Sequence, residues 1–120
     1  MNTIRVWFTK TGEASYISHL DLQRVMGRAM RRAGLTVKLA GVTGMEVTGS
    51  HGIAVKADLA AEDVDPESLE AMMLPGGLPG THNLEASPAV QHCIDRCVER
   101  GVLVSAICAA PSILAHKGLL

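Results

Sequence analysis

Residues 102–112 combine a short apolar stretch with a helix that begins at proline. Val102–Ala106 has the aliphatic character of a buried strand, Cys108 follows it, and Pro111 suits the first turn of a helix. A strand that turns directly into a helix exposes the turn residue at the carboxyl edge of a sheet, close to the positive end of the helix. This setting favours the thiolate of Cys108 and predicts a nucleophile. The alternative is a small buried residue that closes the strand, and the pattern leaves both open.

The rest of the chain repeats this alternation of short apolar strands and amphipathic helices. Strands are predicted at Ile4–Thr9, Leu35–Ala40 and Ala71–Leu74, with a short strand pair through Val47, Ile53 and Val55. Helices are predicted from Ser18 to Gly34, from Asp65 through Leu69, and from Ser87 to Gly101, each with a polar cap or a glycine stop. Such alternation predicts an α/β fold in which a mainly parallel sheet is covered on both faces.

Composition limits the class of protein. The chain has 120 residues, 48% of them hydrophobic, and a formal net charge of -1, which predicts a single domain over residues 1–120. One Trp, one Tyr and one Phe offer little for stacking on bases, so we expect no nucleic-acid partner. We expect no membrane association either, and the absence of an apolar span or a signal sequence predicts a cytoplasmic protein. Three cysteines fit reduced thiols better than a disulfide framework.

Glycines follow several of the predicted strands, at the edge where ligands bind in open α/β sheets. Gly12, Gly76, Gly77 and Cys108 would meet there. A thiolate that attacks a carbonyl needs donors for the developing oxyanion, and Gly77 is the candidate backbone donor. The alternative for residues 74–80 is a tight loop explained by its prolines and glycines alone. Glu13, after the first strand, is the candidate carboxylate beside the thiol.

Two further clusters have simpler explanations. His92, Cys93 and Cys97 have the spacing of metal ligands on a helix, but the two cysteines fall on its apolar face and no fourth ligand follows, so we expect core residues and no metal. Four arginines line the first helix and form a basic face that could contact phosphates, although a solvated surface fits the neutral net charge better; these are Arg24, Arg28, Arg31 and Arg32.

Residues 36–120 resemble the PfpI superfamily, and within it the Parkinsonism-associated deglycase branch. The resemblance is carried by four segments, which occur in the family's order: residues 37–44, 49–53, 74–84 and 106–111. It implies a flavodoxin-like three-layer α/β sandwich, a homodimer, and Cys108 as the reactive cysteine with the Gly77 and Cys108 amides around its oxyanion. It also implies cofactor-independent glyoxalase or deglycase activity on glyoxal, methylglyoxal and their adducts, or chaperone activity.

Residues 1–35 depart from that pattern. The family's first loop carries a Gly-x-Glu-Glu-x-Glu motif whose last glutamate binds the cysteine, and the segment from Gly12 to Ile17 lacks it. Residues 5–22 instead resemble the start of an uncharacterised domain found beside radical-SAM proteins, so the chain resembles a chimera. We call the turn at Cys108 the elbow and the helix that follows it the elbow helix. Family members also continue beyond the elbow helix, which predicts a C-terminally truncated fold, self-association and impaired catalysis. The alternative function is a non-catalytic redox-sensing, chaperone-like or engineered recombinant scaffold.

Overall fold

The computed structural model describes residues 27–49 and 51–120, which fall into two compact units, 27–37 and 38–120. In the first unit, residues 27–32 are helical and the chain turns at Gly34, whose φ is 87°. The amide of Leu35 donates to the carbonyl of Met30 at 3.0 Å, which closes the helix end and confirms the predicted stop. The predicted strand Ile4–Thr9 and the cap at Ser18 lie outside the described residues, and the one-domain prediction for residues 1–120 stays a prediction.

The unit of residues 38–120 alternates strands with helices. Its strands are β1 (Ala40–Gly41), β2 (Glu46–Thr48), β3 (Ala54–Lys56), β4 (Leu59–Ala60), β5 (Ala71–Leu74) and β6 (Leu103–Ala106). Its α-helices are α1 (Gly80–Ala86), α2 (Pro88–Glu99) and α3 (Pro111–His116), and short 3₁₀ turns occupy Ala61–Asp63 and Pro66–Ser68. Two strand pairs of the described residues are parallel, β1 with β4 and β5 with β6, which confirms the predicted parallel pairing.

Two predictions in the first half of this unit have different outcomes. The antiparallel hairpin of β2 and β3 confirms the predicted strand pair, with Val47 opposite Val55. The predicted strand Leu35–Ala40 is wrong over most of its length, because only Ala40 forms part of β1. Its partner strand β4 has two residues, and the backbone of Leu39 is held instead by Asp58, whose carboxylate accepts the Leu39 amide at 2.7 Å.

The parallel pair of β5 and β6 brings two chain segments to one edge. Ala71 pairs with Leu103 and Leu74 with Ala106, so the strands end level with each other. The amide of Ile107 donates to the carbonyl of Leu74 at 3.1 Å and extends this pairing by one residue. Residues 75–77 and 107–110 therefore emerge side by side, which places the predicted glycine loop beside the predicted elbow.

Helix α2 connects these strands and has the predicted ends. The Ser87 hydroxyl accepts the amide of Val90 at 3.4 Å, Pro88 occupies the first turn, and Gly101 follows the last turn with φ 70°. The predicted helix from Asp65 is only a 3₁₀ turn, capped by the Asp65 carboxylate. Helix α1 was not predicted, since no side chain caps it and it begins in a loop rich in proline and glycine.

The core of the 38–120 unit is aliphatic and joins the sheet to the elbow helix. It contains Leu74, Val90, Ile94, Ala110, Ile113 and Leu114. Met72, Val104 and Ala106 pack against this cluster from the same sheet face, whereas Met73 and Leu103 on the opposite face are exposed. Because α2 and α3 both bury side chains on one face of β5 and β6, the core fixes the direction in which α3 leaves the sheet.

Outside the core, charged residues attach the turn before β5 to α2. The guanidinium of Arg96 lies 2.7 Å from the Glu67 carboxylate, and that of Arg100 donates to the carbonyl of Pro66 at 2.6 Å. Glu67 raises the pKa of Arg96 through this hydrogen bond. These contacts are exposed, so we expect them to orient the turn more than to stabilise the fold.

We predict that Ile94→Ala lowers the free energy of unfolding by about 2–5 kcal/mol, because its side chain is fully buried in the core and its loss leaves a cavity. Urea denaturation measures the change. Ile53→Ala is the matched control, since Ile53 is 49% exposed in the hairpin and should cost far less. Equal losses in the two variants would contradict the assignment of Ile94 to the core.

Candidate active site

Cys108 occupies the turn between β6 and α3 in a conformation that few side chains adopt. Its φ is 60°, the only positive φ among the described residues other than glycine. The Ala110 amide donates to the carbonyl of Ile107 at 3.1 Å and closes the turn around it. Such backbone strain costs roughly 1–3 kcal/mol and occurs most often at functional sites. The predicted elbow geometry is therefore confirmed, and the strain is held by the core on both sides of the turn.

The thiol of Cys108 is accessible, unlike the other two. Cys108 is exposed, while Cys93 and Cys97 are buried on the inner face of α2. Burial raises the pKa of the Cys93 thiol, Cys97 beside it raises that pKa further, and burial likewise raises the pKa of Cys97. The alternative of a buried residue closing the strand is thus wrong for Cys108, and the prediction that Cys93 and Cys97 are core residues of α2 is confirmed.

The glycine loop after β5 packs directly on the elbow. A methyl group on Gly76 would lie 2.5 Å from Cβ of Cys108, 2.6 Å from the carbonyl oxygen of Ile107 and 3.1 Å from the amide nitrogen of Ala109. No such contact is sterically tolerated, so only glycine allows the two backbones to approach this closely. Sequence reasoning placed the function on Gly77 and missed this role of Gly76, although the glycine pair itself was the signal.

Gly77 is held by the start of α1. Its φ is 97°, and its carbonyl accepts hydrogen bonds from both the amide and the hydroxyl of Thr81, each at 2.8 Å. The Gly77 N–H belongs to the peptide that follows Gly76, which packs on the elbow, whereas the Gly77 carbonyl belongs to the next peptide, which Thr81 holds. The assignment of that N–H as an oxyanion donor stays a prediction, and so does the corresponding role of the Cys108 amide. Cys108 makes no hydrogen bond to any residue of the described ranges, which leaves its amide available.

The elbow helix is attached to both neighbouring helices through its C-terminal end. His116 Nδ1 lies 2.6 Å from Glu85 Oε1 on α1, and Lys117 Nζ lies 2.8 Å from Asp95 Oδ1 on α2. The partners in the two pairs are 31 and 22 residues apart in sequence, so no local sequence pattern predicts these contacts. The pair of His116 and Glu85 connects the helix that follows Gly77 to the helix that follows Cys108.

Several further residues are candidates from the sequence. Glu13, Gly12 and Arg24 lie outside the described residues. His92 is exposed, and within residues 27–49 and 51–120 no three His, Cys, Asp or Glu side chains are arranged to hold a metal. Arg28, Arg31 and Arg32 are exposed. No helix in the described ranges is both long and apolar enough to cross a membrane.

Comparison with known proteins assigns the family. The sequence model of the DJ-1/PfpI family matches residues 16–120. The chain belongs to the DJ-1/PfpI family. It is 39% identical over 92 residues to the zebrafish (Danio rerio) Parkinson disease protein 7 homolog, covering 75% of this chain and 49% of the relative. It is 33% identical over 95 residues to the glutathione-independent glyoxalase DJR-1.2 of Caenorhabditis elegans, covering 79% of this chain and 50% of that protein.

Solved structures confirm the predicted flavodoxin-like α/β fold. The crystal structure of Drosophila melanogaster DJ-1beta superposes with a TM-score of 0.74 at 32% identity, covering 81% of this chain and 53% of that one. The chain thus spans about half the length of the curated relatives it matches. The family match begins at residue 16, within the segment that resembles a second family, and the chimera stays a prediction.

We predict that Gly76→Ala displaces the elbow, because the added methyl would overlap Cys108 and Ile107. Overpacking of this kind costs about 1–3 kcal/mol of unfolding free energy. It should also change the rate at which iodoacetamide alkylates Cys108. Gly80→Ala is the matched control, since no atom lies within 4 Å of a methyl there. An alkylation rate in Gly76→Ala equal to that of Gly80→Ala would refute the close approach.

We also predict that one of the three cysteines of the folded protein reacts quickly with a disulfide reagent. Thiolate is the reactive form, and burial both raises the pKa of Cys93 and Cys97 and blocks access to them. Counting thiols before and after unfolding in urea measures the difference. Cys108→Ser should remove the fast phase, and a fast phase that survives this substitution would show that the buried pair is accessible.

Proposed function

We propose that this protein is a cysteine-dependent enzyme of the glyoxalase and deglycase type, which acts on glyoxal, methylglyoxal and their adducts. The observation that carries the proposal is the strained and exposed Cys108, in an elbow against which the Gly76–Gly77 backbone packs. A relative in the family carries the name glutathione-independent glyoxalase, which supports a reaction that needs no added thiol.

The first step is addition of the Cys108 thiolate to the aldehyde carbon. A carbon–sulfur bond forms, and the electron pair of the carbonyl π bond moves to oxygen. The resulting oxyanion is received by the amides of Gly77 and Cys108, which lie where the two strands end together. Backbone amides suit this role because their direction is set by the fold and needs no reorganisation during the reaction.

The later steps require no external oxidant. In the hemithioacetal the former aldehyde carbon loses a hydrogen and becomes a thioester, while the neighbouring carbonyl is reduced to an alcohol. Water then hydrolyses the thioester, releases the 2-hydroxy acid and returns the thiolate. The net change is addition of one water to the dicarbonyl. For adducts on amines or thiols, the Cys108 thiolate attacks the same carbon, and the bond from that carbon to the amine or thiol breaks. The amine or thiol is released unmodified, and water completes the product.

The hydrogen transfer needs an acid–base group beside the sulfur. Glu13 is our candidate from the sequence, and it lies outside the described residues. Because the segment from Gly12 to Ile17 lacks the family's glutamate motif, we infer that turnover is slower than in family members that carry it. Homodimer formation likewise stays a prediction of the family resemblance.

A second candidate function is redox sensing without turnover. An exposed thiolate can be oxidised through sulfenate to sulfinate, and the same two amides would receive the sulfinate oxygens. The observation that favours this function is the exposure of Cys108 together with the burial of both other thiols, since no second cysteine is placed to resolve a sulfenate as a disulfide.

We predict that Cys108→Ala abolishes methylglyoxal consumption, because it removes the atom that forms the covalent adduct. Loss of methylglyoxal and formation of lactate measure the reaction in the whole chain. Cys93→Ala is the matched control, because it removes a buried thiol on α2 and should retain activity once its folding is verified. Equal consumption by the wild type and Cys108→Ala would overturn the enzyme proposal. Absence of turnover together with Cys108 sulfinate after peroxide treatment would favour the redox sensor.

A further inference from the structure

We propose that Thr81 is a positioning residue of the candidate active site, which holds the peptide after Gly77 through its hydroxyl and so restrains the backbone dihedrals that direct the Gly77 N–H beside Cys108. The inference rests on the proposed function for its catalytic consequence. Thr81 lies in the first turn of α1. Its effect is exerted through the carbonyl of Gly77.

Thr81 is the one buried polar residue of the described ranges, with 2% of its surface exposed. Its hydroxyl and its amide both donate to the Gly77 carbonyl at 2.8 Å. A carbonyl oxygen has two acceptor positions, and here both are used by one residue. The hydroxyl is therefore fully committed, since a buried hydroxyl without an acceptor would cost about 1–3 kcal/mol.

The hydroxyl is not needed to begin the helix. The amide of Thr81 already closes the first turn onto Gly77, and the amides of His82 and Asn83 donate to the carbonyl of Pro79 at 3.0 and 3.2 Å. A valine at position 81 would fill the same space and keep all of these backbone bonds. What the hydroxyl adds is a second, differently directed restraint on the Gly77 carbonyl.

That restraint acts on the peptide after Gly77, and the peptide before Gly77 is also fixed. Gly76 packs against Cys108 and Ile107 with no room for a methyl group, and Gly77 adopts a φ of 97°. Glycine in this region has wide conformational freedom, so one hydrogen bond leaves its peptide planes free to tilt. With Thr81 holding the peptide after Gly77 and the Gly76 contact holding the peptide before it, both backbone dihedrals of Gly77 are restrained. The Gly77 N–H therefore keeps one direction relative to the sulfur.

Helix α1 is itself anchored to the elbow helix, which makes the restraint effective. The Glu85 carboxylate contacts His116 of α3, and the Glu85 carbonyl accepts the side-chain amide of Gln91 at 3.0 Å. Thr81 at the start of α1 and Glu85 near its end therefore connect Gly77 to the same rigid body that carries Cys108.

The test compares Thr81→Val, which removes the hydroxyl and keeps the shape, with Thr81→Ser, which keeps the hydroxyl. We expect Thr81→Val to lower kcat for methylglyoxal by about tenfold with little change in KM, since loss of a whole oxyanion donor costs roughly 10²–10³ in kcat and a tilted donor costs less. Thr81→Ser should restore most of kcat. Alkylation of Cys108 by iodoacetamide, which forms no oxyanion, should change much less than kcat.

Amide exchange of Gly77, followed by NMR, gives a readout that does not depend on turnover. We expect faster exchange and a shifted resonance in Thr81→Val, and values close to wild type in Thr81→Ser. Thr48→Val, an exposed change in the hairpin strand β2, is the control for loss of a threonine hydroxyl elsewhere. A lower urea midpoint in Thr81→Val with unchanged kcat and an unchanged Gly77 amide would overturn the positioning role.

The outcomes separate the two proposals. A wild type without Cys108-dependent turnover overturns the proposed function. Exchange of the Gly77 amide then still decides whether Thr81 restrains the backbone at Gly77. A wild type that turns over, with full kcat retained in Thr81→Val, overturns the catalytic part of the inference and leaves the proposed function standing.

Discussion

The close approach between Gly76 and the backbone of residues 107–109 is the constraint on which the candidate site depends. It requires β5 and β6 to be parallel and to end level, because a shift of one residue would move the glycine away from Cys108. It also requires that α3 leave the sheet in one direction, which Ile113 and Leu114 secure by packing in the core. The positive φ of Cys108 is maintained because the strand before it and the helix after it are both fixed by packing.

The three cysteines show how one fold gives a single residue type two chemistries. Cys93 and Cys97 face the aliphatic core from α2, where burial raises their pKa and keeps them as inert thiols. Cys108 lies at the carboxyl edge of the strands, where the chain must turn, and it is exposed. Reactivity is therefore assigned by position in the topology, and the buried pair cannot compete with Cys108 for small electrophiles.

Sequence patterns predicted the parts of this structure that depend on local chemistry. Ser87, Pro88 and Gly101 mark the ends of α2, Ala71–Leu74 is a strand as predicted, and Cys108 follows its strand as an elbow. No local sequence pattern predicted the contacts between residues that are distant in the chain. The contact of Gly76 with the elbow, the Thr81 hydrogen bonds at an uncapped helix, and the Glu85–His116 pair depend on how two strands align in space. The predicted strand Leu35–Ala40 is wrong over most of its length because its apolar pattern carries no information about the partner strand. That partner, β4, is too short to pair with all of it.

The site divides into two groups of residues with different tasks. Residues 74–116 supply the candidate nucleophile, both candidate oxyanion donors and the residues that hold them. Within this continuous segment, helices α1 and α3 contact each other. The candidate acid–base residue, Glu13, comes from the other end of the chain. Thiolate addition to an aldehyde and oxidation of the sulfur need only the first group, because both steps create negative oxygens beside Cys108. Hydrogen transfer and hydrolysis need the second as well. Under the proposed function, aldehyde capture and oxidation of the sulfur are thus the steps that this segment supports by itself, and a correctly placed carboxylate would add turnover.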